Sequence, residues 1–259
     1  AAAVAVFLLA GGAFCYLVAF AWLERRTAHD RNFYTYSTFG LLLVVVGLRL
    51  LLSQAWRAPV WCVLAITAAA MARRHGRDTL VLHSVAYTLF AAVSSTLLVF
   101  SVSQIFGGAP QAEAWRLALI LCTTVAAAAC YATIVHETGD SADEPVARAG
   151  CLALAVVCLC GAAGLLHWAA LAGIEPSPSI SAVGGTLILT AMACALAWGG
   201  RRWERDELVW LVFPVMIIGA YKLINVDFPQ ARTHAVSISL VLYGGALLVL
   251  PRLLKITVR

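Results

Sequence analysis

Charge is what this chain has least of. Only 12% of its 259 residues are Asp, Glu, Lys or Arg, whereas 62% are hydrophobic. A soluble domain carries roughly 25% charged and under 50% apolar residues. Half the usual charge cannot cover a water-exposed surface of this size, but it can furnish the loops of a helical bundle in a bilayer. The mean hydropathy of +0.89 agrees. The net charge of +5 is then no sign of a nucleic-acid partner, because in a membrane protein topology decides where basic residues go.

Enzyme signatures are also missing. The chain has no H-E-x-x-H, no G-x-S-x-G and no Walker loop. No Asp or Glu is expected deep in a span, which argues against a proton-driven pump with a buried carboxylate relay. All eight cysteines fall in apolar runs, and none forms C-x-x-C or a Cys/His set of zinc-finger spacing. No disulfide framework and no metal site are therefore expected; small, weakly polar thiols suit helix interfaces. The apolar run at residues 1–20 has no charged segment before it and so does not read as a signal peptide. Without an initiator Met, the chain reads as part of a longer protein.

What is present is a series of long apolar runs. A helix needs roughly 17–25 apolar residues to cross the hydrocarbon core. The runs at 1–23, 38–56, 60–72, 80–106, 115–135, 149–172, 180–199, 208–226 and 235–250 predict an all-α bundle of about nine transmembrane helices in one domain. The third is short, starting at Pro59 and stopping at Arg73. The basic residues decide whether it crosses. With nine crossings, thirteen of the 18 Lys and Arg fall on one side and three on the other, with Arg49 and Lys222 inside helices. Removing the third crossing would mix the two classes. The positive-inside rule then puts the N-terminus outside and the C-terminus in the cytoplasm, in a bacterial cytoplasmic membrane.

Arg49 and Lys222 are the most informative residues. A charge at helix depth costs roughly 2.5–3.5 kcal/mol or more and needs water, a partner or a function. Both are expected in the outer halves of their helices. Either they snorkel to the headgroups, or they line a cavity, pair with Asp227 or Glu175, and hold an anionic or lipid-like solute. Lys222, Arg49 and Asp227 are thus the candidate solute- or lipid-binding residues. Among the six histidines, His83 and His136 share the cytoplasmic side and are the candidates for a haem or a polar network. His167 and His234 make a poorer pair outside, since His234 falls in a turn. The loop 136–148 is net acidic and reads as a solvated turn or a dock for a basic partner. The Pro/Ser-rich connector 172–179 shows no chemistry.

Two hairpins echo one another. Ala-Trp-Leu-Glu-Arg-Arg at 21–26 resembles Ala-Trp-Gly-Gly-Arg-Arg at 197–202, and each precedes a helix bearing Arg49 or Lys222. Either the hairpins around 21–56 and 197–226 are repeats, or the positive-inside rule alone puts dibasic turns at cytoplasmic helix ends. Small residues such as Gly244 and Gly245 permit close helix contact, and Pro214 removes one helix hydrogen bond and predicts a kink.

The last stretch, 208–254, carries a helix ending K-L-x-x-x-D at Lys222, Leu223 and Asp227. A short turn follows, then a helix with Gly244, Gly245 and a basic end at Arg252. In these features it resembles the closing helices of large, many-spanning bacterial membrane proteins of a family of unknown function. The resemblance implies an all-helical multi-span fold and no assigned activity.

The first functional expectation is a non-catalytic membrane subunit, a scaffold or anchor in a larger assembly with other membrane subunits and lipid as partners. The alternative is a transporter or channel for a small anionic or lipid-like solute. A third is a haem-bearing electron carrier. No cofactor beyond bound lipid is expected, and no nucleic acid.

Overall fold

The computed structural model describes residues 2–19, 30–76, 78–107, 113–135, 145–172, 177–230 and 232–254. Every regular element among them is helical. The order is α1 (Ala2–Leu17), α2 (Asp30–Leu51), α3 (Gln54–His75), α4 (Asp78–Ser94), α5 (Leu97–Ile105), α6 (Ala114–Val135), α7 (Pro145–Leu171), α8 (Pro178–Arg202) and α9 (Asp206–Lys222). A π-helical turn (Leu223–Asp227), the single turn α10 (Phe228–Gln230) and α11 (Thr233–Leu254) close the fold. Six helices are long and apolar enough to cross a membrane, and a seventh span results if the bent pair α4–α5 counts as one. Large apolar side chains face outward around the bundle, among them Phe7, Val99, Val241 and Leu248. Such an exterior would collapse in water and is at home in lipid. The protein is an integral membrane protein.

Two boundaries differ from the sequence reading. The third helix is not short: it has 22 residues, begins at Gln54 and carries Pro59 inside. The elbow before it explains why. Arg57 Nε donates to Leu52 O (3.1 Å) and its Nη2 to Arg49 O (3.3 Å), so one guanidinium satisfies two carbonyls left open where α2 ends. The chain thus turns at Leu52–Ser53, not at Pro59. The run 80–106 is not one helix either. It breaks at Ser95–Thr96 and bends by 60°. Thr96 has φ +56°, a left-handed conformation costly for a β-branched residue.

The core centres on α7. Its near half packs with α3, α4 and α6 around Trp61, Leu80, Cys130 and Leu154, and its middle meets α5 and α6 around Leu97, Phe100 and Ile120. On its other flank α8, α9 and α11 bury Ala193, Leu196, Leu211 and Val212. The α1–α2 hairpin lies at the edge. Its helices touch so closely that a Cβ on Gly12 would meet Val44 Cγ2 at 2.9 Å, and one on Gly47 would meet Leu9 Cγ at 2.8 Å. Close backbone approach of this kind is how helices associate where the hydrophobic effect cannot drive them.

Candidate functional site

The site lies where α5 and α9 finish and α8 begins. α9 starts with Asp206 and Glu207, acidic residues that favour a helix N-terminus, and runs through Pro214 as one helix to Lys222. There it widens into the π turn. In an α-helix, residues five apart are about 140° apart around the axis at 3.6 residues per turn. A π turn closes i to i+5 bonds instead, so it carries Asp227 round beneath Lys222. The two side chains meet: Lys222 Nζ lies 2.6 Å from Asp227 Oδ1, with the side chains 1% and 0% exposed.

The ion pair is closed by α8. Lys222 Nζ donates also to Ala182 O (2.8 Å) and to Thr186 Oγ1 (3.3 Å), while the Thr186 hydroxyl donates to Asp227 Oδ2 (2.9 Å). All three ammonium protons and both carboxylate oxygens are engaged. Gly185 makes room for this. A Cβ there would meet Lys222 Cε at 2.7 Å and Ile105 O at 2.9 Å. Buried charges survive only when paired and hydrogen-bonded in this way.

Next to the pair is a cavity of about 110 Å³, bordered by Gln104, His167, Ser181, Lys222 and Asp227. His167, on α7, is 1% exposed. Its Nε2 lies 3.3 Å from Ser181 O and its Nδ1 3.4 Å from the Gln104 side-chain amide. A carbonyl can only accept, so Nε2 carries the proton. A neutral ring then accepts at Nδ1, which requires the Gln104 amide to turn its NH2 toward it. The imidazole thereby ties α7 to α5 and α8.

The structure separates the residues singled out from sequence. Lys222 and Asp227 come together. Asp227, expected in the outer turn beyond its helix, is instead completely covered by protein at the end of a candidate span. Arg49 is exposed on the last turn of α2 and borders none of this cavity. The two cations of the echoed hairpins thus have unlike surroundings. His83, on α4, is buried beside Tyr16 and Tyr87. His136 and Glu175 lie outside the described residues, as does most of the acidic loop 136–148. Sequence reasoning missed Thr186, Gln104 and Ser181. The readable signal was the five-residue spacing of Lys222 and Asp227, which suits a π turn and no α-helix. No protein-family model, no curated protein and no solved structure matches this chain.

Proposed function

We propose that this chain handles a small solute at the outer end of a nine-crossing bundle in a bacterial cytoplasmic membrane, as a transporter or channel. The nine crossings, with the N-terminus outside, rest on the lopsided distribution of Lys and Arg. The observation that carries the function is the fully buried Lys222–Asp227 pair beside a polar cavity. An ionisable residue inside a membrane helix marks a solute path more often than it marks packing. A kinked α4–α5 pair delivers Gln104 to the same place, and interrupted helices are the usual builders of such sites. The class of solute is a small anion. It displaces Asp227 from Lys222, and Ser181 and Gln104 hold its remaining oxygens. The lone, exposed Arg49 takes no part and snorkels.

The test uses purified protein in proteoliposomes, with transport currents recorded for a panel of small carboxylates and phosphate. Removing Lys222 alone would strand Asp227, so the informative variant is the neutral pair Lys222→Met with Asp227→Leu. Current is expected for the wild type and for Arg49→Leu, and none for the double variant. Currents that survive in the double variant overturn the proposal, as does silence across the panel.

One observation favours the scaffold reading instead. A Cβ on Gly244 or Gly245 of α11 would meet nothing within 4 Å. These adjacent glycines leave a notch on the lipid-facing side of α11, of the kind another membrane helix fills. Native mass spectrometry on gently extracted protein separates the readings. Stoichiometric protein partners support the scaffold, and a lone chain or homo-oligomer supports the solute site.

A further inference from the structure

A second cavity lies far from the ion pair in sequence and in chemistry. It has a volume of about 220 Å³ and is enclosed by α1, α3 and α4, with Tyr16, Thr67, Met71, His83 and Tyr87 among its walls. It is larger than the roughly 150 Å³ that suffices for benzene in an apolar protein cavity. His83 sits five residues into α4, roughly 7.5 Å along the axis from Asp78 at 1.5 Å per residue. The cavity therefore lies toward the α3–α4 turn end of the bundle. Thr67 and Met71 are exposed at its rim, on a face that lipid covers, so it opens sideways into the bilayer.

Its polar groups are the His83 imidazole and the hydroxyls of Tyr16, Tyr87 and Thr67. The Tyr16 and Tyr87 hydroxyls bond one another at 3.0 Å, and the Thr67 hydroxyl donates to Leu64 O. His83 is 2% exposed, and its two contacts are with rings: Tyr16 edge-on at 5.7 Å and Tyr87 at 6.5 Å between centroids. Among the described residues its nitrogens have no hydrogen-bond partner, and the ring borders the cavity, so a ligand there can supply one. A bare acyl chain leaves the imidazole as it is. Trp61 stacks behind Tyr87 at 5.8 Å and 16°, so two electron-rich tyrosine rings, one backed by an indole, border the cavity. Such faces favour an electron-poor ring.

We propose that this cavity binds the ring of a membrane quinone. One ring carbonyl accepts a hydrogen bond from His83, the ring lies against Tyr16 and Tyr87, and the isoprenoid tail leaves past Thr67 and Met71 into the lipid. The site is independent of the Lys222–Asp227 pair.

The test titrates decylubiquinone into the purified protein in detergent and follows tryptophan fluorescence, with decylbenzene as a probe of equal tail and no carbonyl. Saturable quenching by the quinone is expected. Its midpoint should rise about tenfold in His83→Leu, the loss of one good hydrogen bond. Thr67→Phe, which blocks the rim and keeps His83 and the Tyr16–Tyr87 bond, should abolish it. Should His83→Leu fail to fold, Thr67→Phe carries the test alone. Equal quenching in wild type and variants would mean partition into the micelle and overturn the proposal, and so would equally tight binding of decylbenzene.

Discussion

The two buried histidines differ in everything but their burial. His167 is 1% exposed and His83 2%. The ring of His167 has a partner at each nitrogen, one of them a main-chain carbonyl of α8. Among the described residues His83 has ring contacts with Tyr16 and Tyr87 and no hydrogen bond. One sits at an end of the bundle where three helices bring polar groups together. The other sits in a wall of aromatic residues between α1, α3 and α4. A buried polar atom is expensive unless it is bonded, so a histidine is kept in an apolar wall for a reason its own fold does not supply. His167 explains itself as a tie between helices, whereas His83 is the hydrogen-bond donor of the proposed quinone site. The same contrast holds for the two cations: Lys222 is saturated within the chain, and Arg49 reaches outward.

The sharpest way to break the contrast is to unpair the saturated site. Asp227→Ala leaves a buried ammonium without its carboxylate, which should cost about 3–5 kcal/mol in thermal or denaturant unfolding of the detergent-solubilised protein. The double variant Lys222→Met with Asp227→Leu should recover most of that loss, because well-packed apolar pairs replace buried ion pairs at little cost. Equal losses for the single and double variants would show that the two charges do not act on one another. Arg49→Leu should leave stability unchanged. Thr186→Val is next in size. It removes the hydroxyl that donates to Asp227 and accepts from Lys222, and hydrogen bonds to charged groups contribute about 1.5–3 kcal/mol.

How much of this was readable beforehand follows from the physics of each signal. The helices are legible because apolar length and charge scarcity act over twenty residues at a time, and the sequence offers Asp227 as one partner for Lys222. The break at Thr96 was not, although Ser94, Ser95 and Thr96 form a run of hydroxyl residues whose side chains compete for backbone carbonyls; Ser95 Oγ and Thr96 Oγ1 do bond to carbonyls there. The start of α3 was misplaced because Pro59 looked like a helix start, while the stop was made by Arg57 reaching back to α2. That contact depends on an arrangement in space. Thr186, Gln104 and Ser181 were hidden for the same reason. Each is an ordinary residue on an apolar helix, and only the meeting of α5, α8 and the π turn gives it a role.

The histidines themselves provide the third prediction. His167→Leu removes the bonds to Ser181 O and to Gln104, and leaves the amide of Gln104 buried without its partner. The expected loss is about 1–3 kcal/mol. His83→Leu removes no hydrogen bond and replaces a costly buried polar ring with an apolar side chain, so stability should stay level or rise in ligand-free protein. The measurement is the unfolding midpoint of both variants in the same detergent. A large loss at His83 would mean that the apolar packing of its ring matters as much as the bonds of His167, and the contrast would fall.

The smallest effect separates two glycines on neighbouring helices. At Gly185 of α8 a methyl group would press on Lys222 Cε and Ile105 O. Overpacking of that kind costs about 1–3 kcal/mol, so Gly185→Ala should destabilise. At Gly245 of α11 the same methyl group meets nothing within 4 Å, and alanine is favoured over glycine inside a helix by about 0.5–1 kcal/mol. Gly245→Ala should therefore leave the isolated chain unchanged or slightly more stable. What makes this weak effect useful is the second reading of function. If another subunit seats a helix against the notch at Gly244 and Gly245, a larger side chain there, as in Gly245→Leu, leaves the folding of this chain intact and strips the partner from it in native mass spectrometry. If the chain works alone, Gly245→Leu changes neither the composition of the species seen in native mass spectrometry nor the transport current. One substitution that barely moves stability thus distinguishes a scaffold from a solute carrier.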